Sequence, residues 1–180
     1  MKLEEFNYNL PKELIAQEPA EPRDSCRLMM LDKKTGAWEH HHFRDILDEI
    51  RPGDVFVFNN TKVIPARLYG KKRETGGKVE MLLLTPKGND VWEVLVNPGK
   101  KALPGVEIEF SDNCWCKVLD KTEFGGRVVE FHYDGNFDSL LDQLGEMPTP
   151  PYIHKKLENK DEYQTVYAKY KGSAAAPTAG

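Results

Sequence analysis

The chain has 180 residues, of which 39% are hydrophobic and 30% charged, and it carries a net charge of −4 at pH 7. That balance suits a folded globular protein of one domain or two small ones and excludes a disordered chain. It also excludes a protein that holds nucleic acid by bulk positive charge, so any RNA contact must come from a local patch. No apolar run is long enough for a membrane span, and Met1-Lys2-Leu3-Glu4-Glu5 lacks the apolar stretch of a signal peptide. The cysteines Cys26, Cys114 and Cys116 are odd in number, which argues against a disulfide framework and for the reducing cytosol. A cytoplasmic location is therefore expected.

In chain order, Pro11 opens a short helix through Leu14 and Ile15, because proline is tolerated in a first helical turn. Cys26 to Leu31 is an apolar run. Asp32 and the turn Lys33-Lys34-Thr35-Gly36 follow it, and Trp38 to His42 pairs back as the second arm of a hairpin. Phe43, Ile46, Leu47 and Ile50 have helical spacing, and Pro52-Gly53 ends that helix. Asp54 to Phe58 reads as a strand running into Asn59-Asn60.

From Ala66 the texture becomes one of short strands. They are expected at 66–70, 79–84, 91–96, 106–110, 114–119 and 127–133, with Gly-, Pro- and Asn-bearing turns between them. Regular short strands of this kind predict a small antiparallel β-barrel. Phe137, Leu140, Leu141 and Leu144 then form one amphipathic helix, closed by Gly145. The expected fold class is mixed α/β with this barrel inserted. Residues 1–65 form the first part of a catalytic α/β domain, 66–145 form the barrel with its closing helix, and 146–180 return to the catalytic domain. The host α/β domain is incomplete in this chain.

Four segments are hard to read as ordinary turns. The first is Ile15-Ala16-Gln17-Glu18-Pro19 with Arg23-Asp24-Ser25-Cys26-Arg27. The second is Asn59-Asn60-Thr61-Lys62-Val63-Ile64-Pro65-Ala66-Arg67-Leu68. The third is Met147-Pro148-Thr149-Pro150-Pro151-Tyr152-Ile153. The fourth is Tyr163-Gln164-Thr165-Val166-Tyr167-Ala168 with Gly172 to Gly180. In order and spacing they resemble the S-adenosylmethionine:tRNA ribosyltransferase-isomerase family of queuosine biosynthesis. The resemblance covers the whole chain and matches the N-terminal portion of the family, which continues past Gly180. Two departures stand out. Asn60 replaces a common aspartate and cannot serve as a carboxylate base, and Cys26 stands where a second serine is common.

The resemblance implies a transferase that consumes S-adenosylmethionine as a substrate and needs no cofactor and no metal. The ribosyl carbons pass to the aminomethyl nitrogen of 7-aminomethyl-7-deazaguanine at the tRNA wobble position. They rearrange to give epoxyqueuosine, with adenine and methionine released. The implied partners are tRNA and S-adenosylmethionine, without a membrane. A second reading, of another class, is a non-catalytic RNA-binding barrel.

Such chemistry asks for a base beside the sulfonium, a neutral attacking amine, a hold on the cationic sulfur and contacts to RNA. The catalytic residue is not identified by the sequence. Asn59, Asn60 and Thr61 are the hydrogen-bonding candidates, against the alternative of an Asx turn. Arg23, Arg27, Lys62 and Arg67 are candidates for polyanion or carboxylate contacts, against surface pairing of the first two with Asp24 or Asp32. Tyr152, Tyr163 and Tyr167 are candidates for stacking, against ordinary packing. Ala176, Pro177, Thr178, Ala179 and Gly180 are small enough for a backbone to approach a ligand, against a plain linker. Cys114 and Cys116 share one strand face and read as packed thiols rather than a metal site. No Gly-x-Gly-x-x-Gly or Walker-type loop is present, which removes the dinucleotide, triphosphatase and common methyltransferase readings.

Overall fold

The computed structural model describes residues 1–178, so the tail candidates Ala179 and Gly180 lie outside the described residues. The chain divides into two compact units, one of residues 1–57 with 150–156, the other of residues 58–149 with 157–180.

The first unit is organised by a hairpin. Strand β1, Arg27–Leu31, pairs antiparallel with β2, Trp38–His42, in the register Arg27↔His42 to Leu31↔Trp38. The turn is fixed by Asp32, whose carboxylate accepts the backbone N–H groups of Lys34 and Thr35 at 2.7 and 2.9 Å. Those bonds hold its pKa below the usual carboxylate value. Two expectations are corrected in this unit. The helix over Phe43–Ile50 is a 3-10 helix, Phe43–Asp48. Pro52 disfavours helix at Arg51, and no residue of the turn is buried to stabilise a longer helix. Asp54 to Phe58 is not a strand, because a strand needs a ladder and the segment joins none of the sheets. Val55 and Val57 are 86% and 92% exposed.

The second unit is built on a closed barrel. Its strands are β4, Arg67–Lys72; β5, Lys78–Gly88; β6, Val91–Asn97; β7, Glu107–Ser111; β8, Cys114–Lys121; and β9, Arg127–Tyr133. The strand order is β4-β5-β6-β9-β8-β7, closed by pairing of β7 with β4 at Lys71↔Glu109 and Lys72↔Ile108. The expected antiparallel barrel is therefore present. Period-two alternation turns Leu68, Val79, Met81, Leu83, Val94, Ile108, Cys114, Cys116, Val118, Val129 and Phe131 inward, and all are buried. Closure needs Gly70, since a Cβ there would lie 2.7 Å from the Glu109 carbonyl and 2.8 Å from the Phe110 ring. The β5–β6 turn uses Asn89 and Asp90 at φ 51° and 60°, a pair that tolerates the left-handed region a tight hairpin requires.

Helix α1, Phe137–Leu144, caps the barrel. Asn136 accepts the Ser139 N–H at its start, Leu140 and Leu141 are buried, and Phe137 packs on Trp92, Phe131 and Tyr133. Gly145 ends the helix in an extended conformation, φ −85°, not a left-handed one. Its role is space, because a Cβ would meet the Pro65 carbonyl at 2.0 Å. Two short strands escaped the sequence. Thr61–Val63 is β3 and Tyr170–Ser173 is β10, and the two pair in parallel with the barrel between them in the chain.

Arg127 is 6% exposed and pairs with no carboxylate among the described residues. Its guanidinium donates to the carbonyls of Gly99, Ala102, Gly125 and Gly126, tying the loop after β6 to the β8–β9 turn. Arg127→Met leaves those carbonyls unpaired and is expected to cost about 2–4 kcal/mol in urea unfolding, with Arg127→Lys restoring only part. Burial pushes the Cys114 thiol up to about 11 and Cys116 higher still, while Cys26 is exposed. A thiol reagent at pH 8 should therefore titrate Cys26 alone in the folded chain and all the cysteines after denaturation. Fast labelling of Cys114 or Cys116 in the folded chain would contradict the closed barrel.

Candidate functional site

The four motif segments are not independent loops. Two glutamines join them in pairs, each using both ends of its side-chain amide. In the first unit Gln17 donates Nε2 to the Tyr152 carbonyl at 2.9 Å, and its Oε1 accepts the His154 N–H at 2.7 Å. Glu18 pairs beside it with Lys155, which depresses the Glu18 pKa. The first and third segments are thereby held together.

In the second unit Gln164 grips one residue of β3. The Val63 N–H donates to its Oε1 at 2.9 Å, and its Nε2 donates to the Val63 carbonyl at 2.8 Å. The neighbouring residue meets β10, where the Ile64 N–H donates to the Ser173 carbonyl at 3.0 Å. The Asn60 carbonyl accepts the N–H groups of Lys169 and Tyr170 at 2.8 and 3.1 Å. The second and fourth segments thus form one cluster around the paired β3 and β10.

Within that cluster Asn59 makes the Asx turn, its Oδ1 accepting the Thr61 N–H at 2.9 Å. Thr61 and Lys62 are half-buried on β3. Tyr167 lies 4.5 Å from the Phe58 ring at 39°, and Tyr163 is half-buried at the end of the Lys160–Tyr163 turn. Ser173 Oγ bonds the Ala175 carbonyl at 2.6 Å and turns the chain into Ala176, Pro177 and Thr178.

Arg67 stands at the join between barrel and cluster. Its Nη2 donates to the Thr149 carbonyl at 3.2 Å. Its Nε lies 3.1 Å from Glu80 Oε1, a charge contact without hydrogen-bond alignment. Its backbone exchanges both bonds with Glu146, at 3.1 and 2.8 Å. The guanidinium is committed within the second unit and fixes the start of the third segment.

Arg23, Arg27 and Tyr152 belong to the first unit. Arg23 opens a 3-10 turn and Arg27 opens β1, so the two do not share a helix face. Asp24 and Asp32 are engaged elsewhere. Asp24 lies 3.7 Å from Arg44, and Asp32 caps its own turn. Tyr152 is 54% exposed and contributes its carbonyl to Gln17. Gln17 and Gln164 lie within the motif segments, yet their sequence context alone gives them no role. An isolated glutamine in a loop carries no periodicity, and its two-ended pairing needs the distant backbone to be in place. Among the described residues no group of histidines, cysteines and carboxylates is arranged to hold a metal. No helix among them is long and apolar enough to cross a membrane.

A family model described as queuosine biosynthesis protein matches residues 3–180, and the chain belongs to that family. Curated relatives named S-adenosylmethionine:tRNA ribosyltransferase-isomerase align with all of the chain. One from Thermoanaerobacter sp. is 58% identical and one from Symbiobacterium thermophilum 56%. The chain spans about half the length of these relatives, 53% in each case. A solved structure of an S-adenosylmethionine tRNA ribosyltransferase from Thermotoga maritima is 41% identical, covering 83% of this chain and 52% of that one with a TM-score of 0.40.

Gln164→Leu removes both bonds to Val63. It is expected to lower stability by about 1–3 kcal/mol in urea unfolding. Gln164→Glu, which keeps the acceptor and loses the donor, should lie between. Equal stability of all three proteins would show that the amide does not hold β3.

Proposed function

We propose that this chain is the N-terminal portion of an enzyme that transfers and isomerises the ribosyl group of S-adenosylmethionine onto 7-aminomethyl-7-deazaguanine at the tRNA wobble position. The product is epoxyqueuosine, and adenine and methionine leave. The observation that carries this reading is the alignment of the whole chain, at more than half identity, with curated relatives of that name. The pairing of all four motif segments through Gln17, Gln164 and the β3–β10 ladder supports it, because loops held this firmly suit a preorganised site.

In this reading residues 1–65 and 146–180 belong to the catalytic domain and 66–145 form the barrel. S-adenosylmethionine is consumed, and neither a cofactor nor a metal takes part. The enzyme works in the cytoplasm. Arg23, Arg27 and Lys62 supply positive charge to the substrate carboxylate or to tRNA, and Tyr152, Tyr163 and Tyr167 offer faces for a base or the sulfonium. Asn59 shapes the loop through its Asx turn and leaves Asn60, Thr61 and the tail Ala176 to Gly180 to meet the ligand. Arg67 positions the Thr149 loop.

Deleting the gene and measuring tRNA nucleosides by mass spectrometry tests this reading. Queuosine should disappear and the 7-aminomethyl precursor should accumulate. Unchanged queuosine in a strain without a second copy would sink it.

A further inference from the structure

The barrel is electrically uneven from end to end. At one end lie the 73–77 turn, the 98–106 loop and the 122–126 turn, where Lys72, Arg73, Lys78, Lys100, Lys101 and Lys121 outnumber the carboxylates Glu74, Glu107, Asp120 and Glu123. At the other end the turns carry Asp90, Asp112 and Asp134. Among the described residues Lys78, Lys100 and Lys101 are exposed and make no ion pair. Beneath Lys100 and Lys101 sits Arg127, a buried cation whose partners are all neutral carbonyls. Its charge is not cancelled, and it fixes the backbone of Gly99 and Ala102 on either side of the two lysines. A chain with a net negative charge therefore holds two unpaired lysines on a fixed loop at this end.

Beside that surface the outer face of the barrel is hollowed by about 710 Å³, with Tyr69, Lys78, Asn97 and Phe110 among its walls. Tyr69 is 53% exposed on the outer side of β4. The carboxylates there are already matched, Glu80 by Arg67 at 3.1 Å and Glu109 by Lys71 and Arg73, each at 3.6 Å. Lys78 remains as the unmatched charge. An exposed aromatic ring in a largely apolar hollow, next to unpaired lysines on a rigid loop, is the pattern that takes a single-stranded nucleotide, the base on the ring and the phosphates on the cations.

We infer that this barrel end is a contact surface for RNA, with Lys78, Lys100 and Lys101 meeting backbone phosphates and Tyr69 stacking on one unpaired base. The inference rests on the reading that the full-length protein acts on tRNA, and it assigns to the barrel a part of tRNA recognition that lies outside the four motif segments. Charge complementarity favours RNA over an acidic protein surface, because a hollow walled by Tyr69 and Asn97 also suits a base.

The test is equilibrium binding of an unmodified tRNA transcript to the full-length protein, by fluorescence anisotropy between about 50 and 200 mM salt. The combined variant Lys78→Glu, Lys100→Glu, Lys101→Glu should bind at least about tenfold more weakly, with a salt slope shallower by about two to three. Its melting temperature should not change, since the three side chains are exposed and unpaired. Tyr69→Ala should weaken binding by about 5- to 100-fold and Tyr69→Phe should restore it. Asp112→Lys, at the opposite end, should not reduce affinity. If the wild type binds and the triple variant and Tyr69→Ala bind equally well, this surface is not the contact. If the wild type itself binds no tRNA, the reading of the protein as a tRNA enzyme fails first and the surface fails with it.

Discussion

Val63 is held along both edges of its strand, and the rest of the site depends on that grip. On one side β3 lies against β10, and on the other the Gln164 amide takes the N–H and the carbonyl of Val63 as a neighbouring strand would. The residues involved are 101 positions apart in the chain, with the entire barrel between them. Bringing such distant segments together costs loop-closure entropy, which a compact barrel largely pre-empts by holding its own entrance and exit close. Arg67 extends the arrangement, because its backbone pairs with Glu146 just where the chain leaves the barrel helix. Asn59 to Lys62 therefore sit on a framework held at both edges of β3.

Much of the barrel was legible because its physics is local. Leu68, Val79, Met81 and Leu83 alternate with residues that face out, and the turns between strands carry the residues those turns need. The helix Phe137–Leu144 was legible for the same reason, its apolar positions recurring on one face. The site was legible only as a set of motifs. Thr61–Val63 and Tyr170–Ser173 are too short for a period to show, and the partner of each lies beyond the whole barrel along the chain. Asp54 to Phe58 shows the converse. Its composition is that of a strand, yet composition supplies no ladder, and without one the segment stays irregular with its valines in water.

Two glycines teach a related point. Gly145 closes the helix as expected, but with an ordinary φ, and its role is to let the Pro65 carbonyl come close. Gly70 does the same for the closing pair of strands. Sequence reading identifies a glycine easily, whereas the reason for it lies in a neighbour whose position only the fold defines.

None of residues 1–57 is buried, although β1 and β2 form a complete antiparallel ladder. Opening that hairpin uncovers very little new apolar surface, and the sensitivity of an opening reaction to urea scales with the surface it uncovers. Amide hydrogens of Arg27 to His42 would then exchange with solvent by small fluctuations at a rate almost indifferent to denaturant. Those of the barrel, locked to a buried core, would exchange only through openings that urea strongly promotes. One chain thus carries two kinds of order, hydrogen-bonded without a core in its first unit and hydrogen-bonded around one in its second.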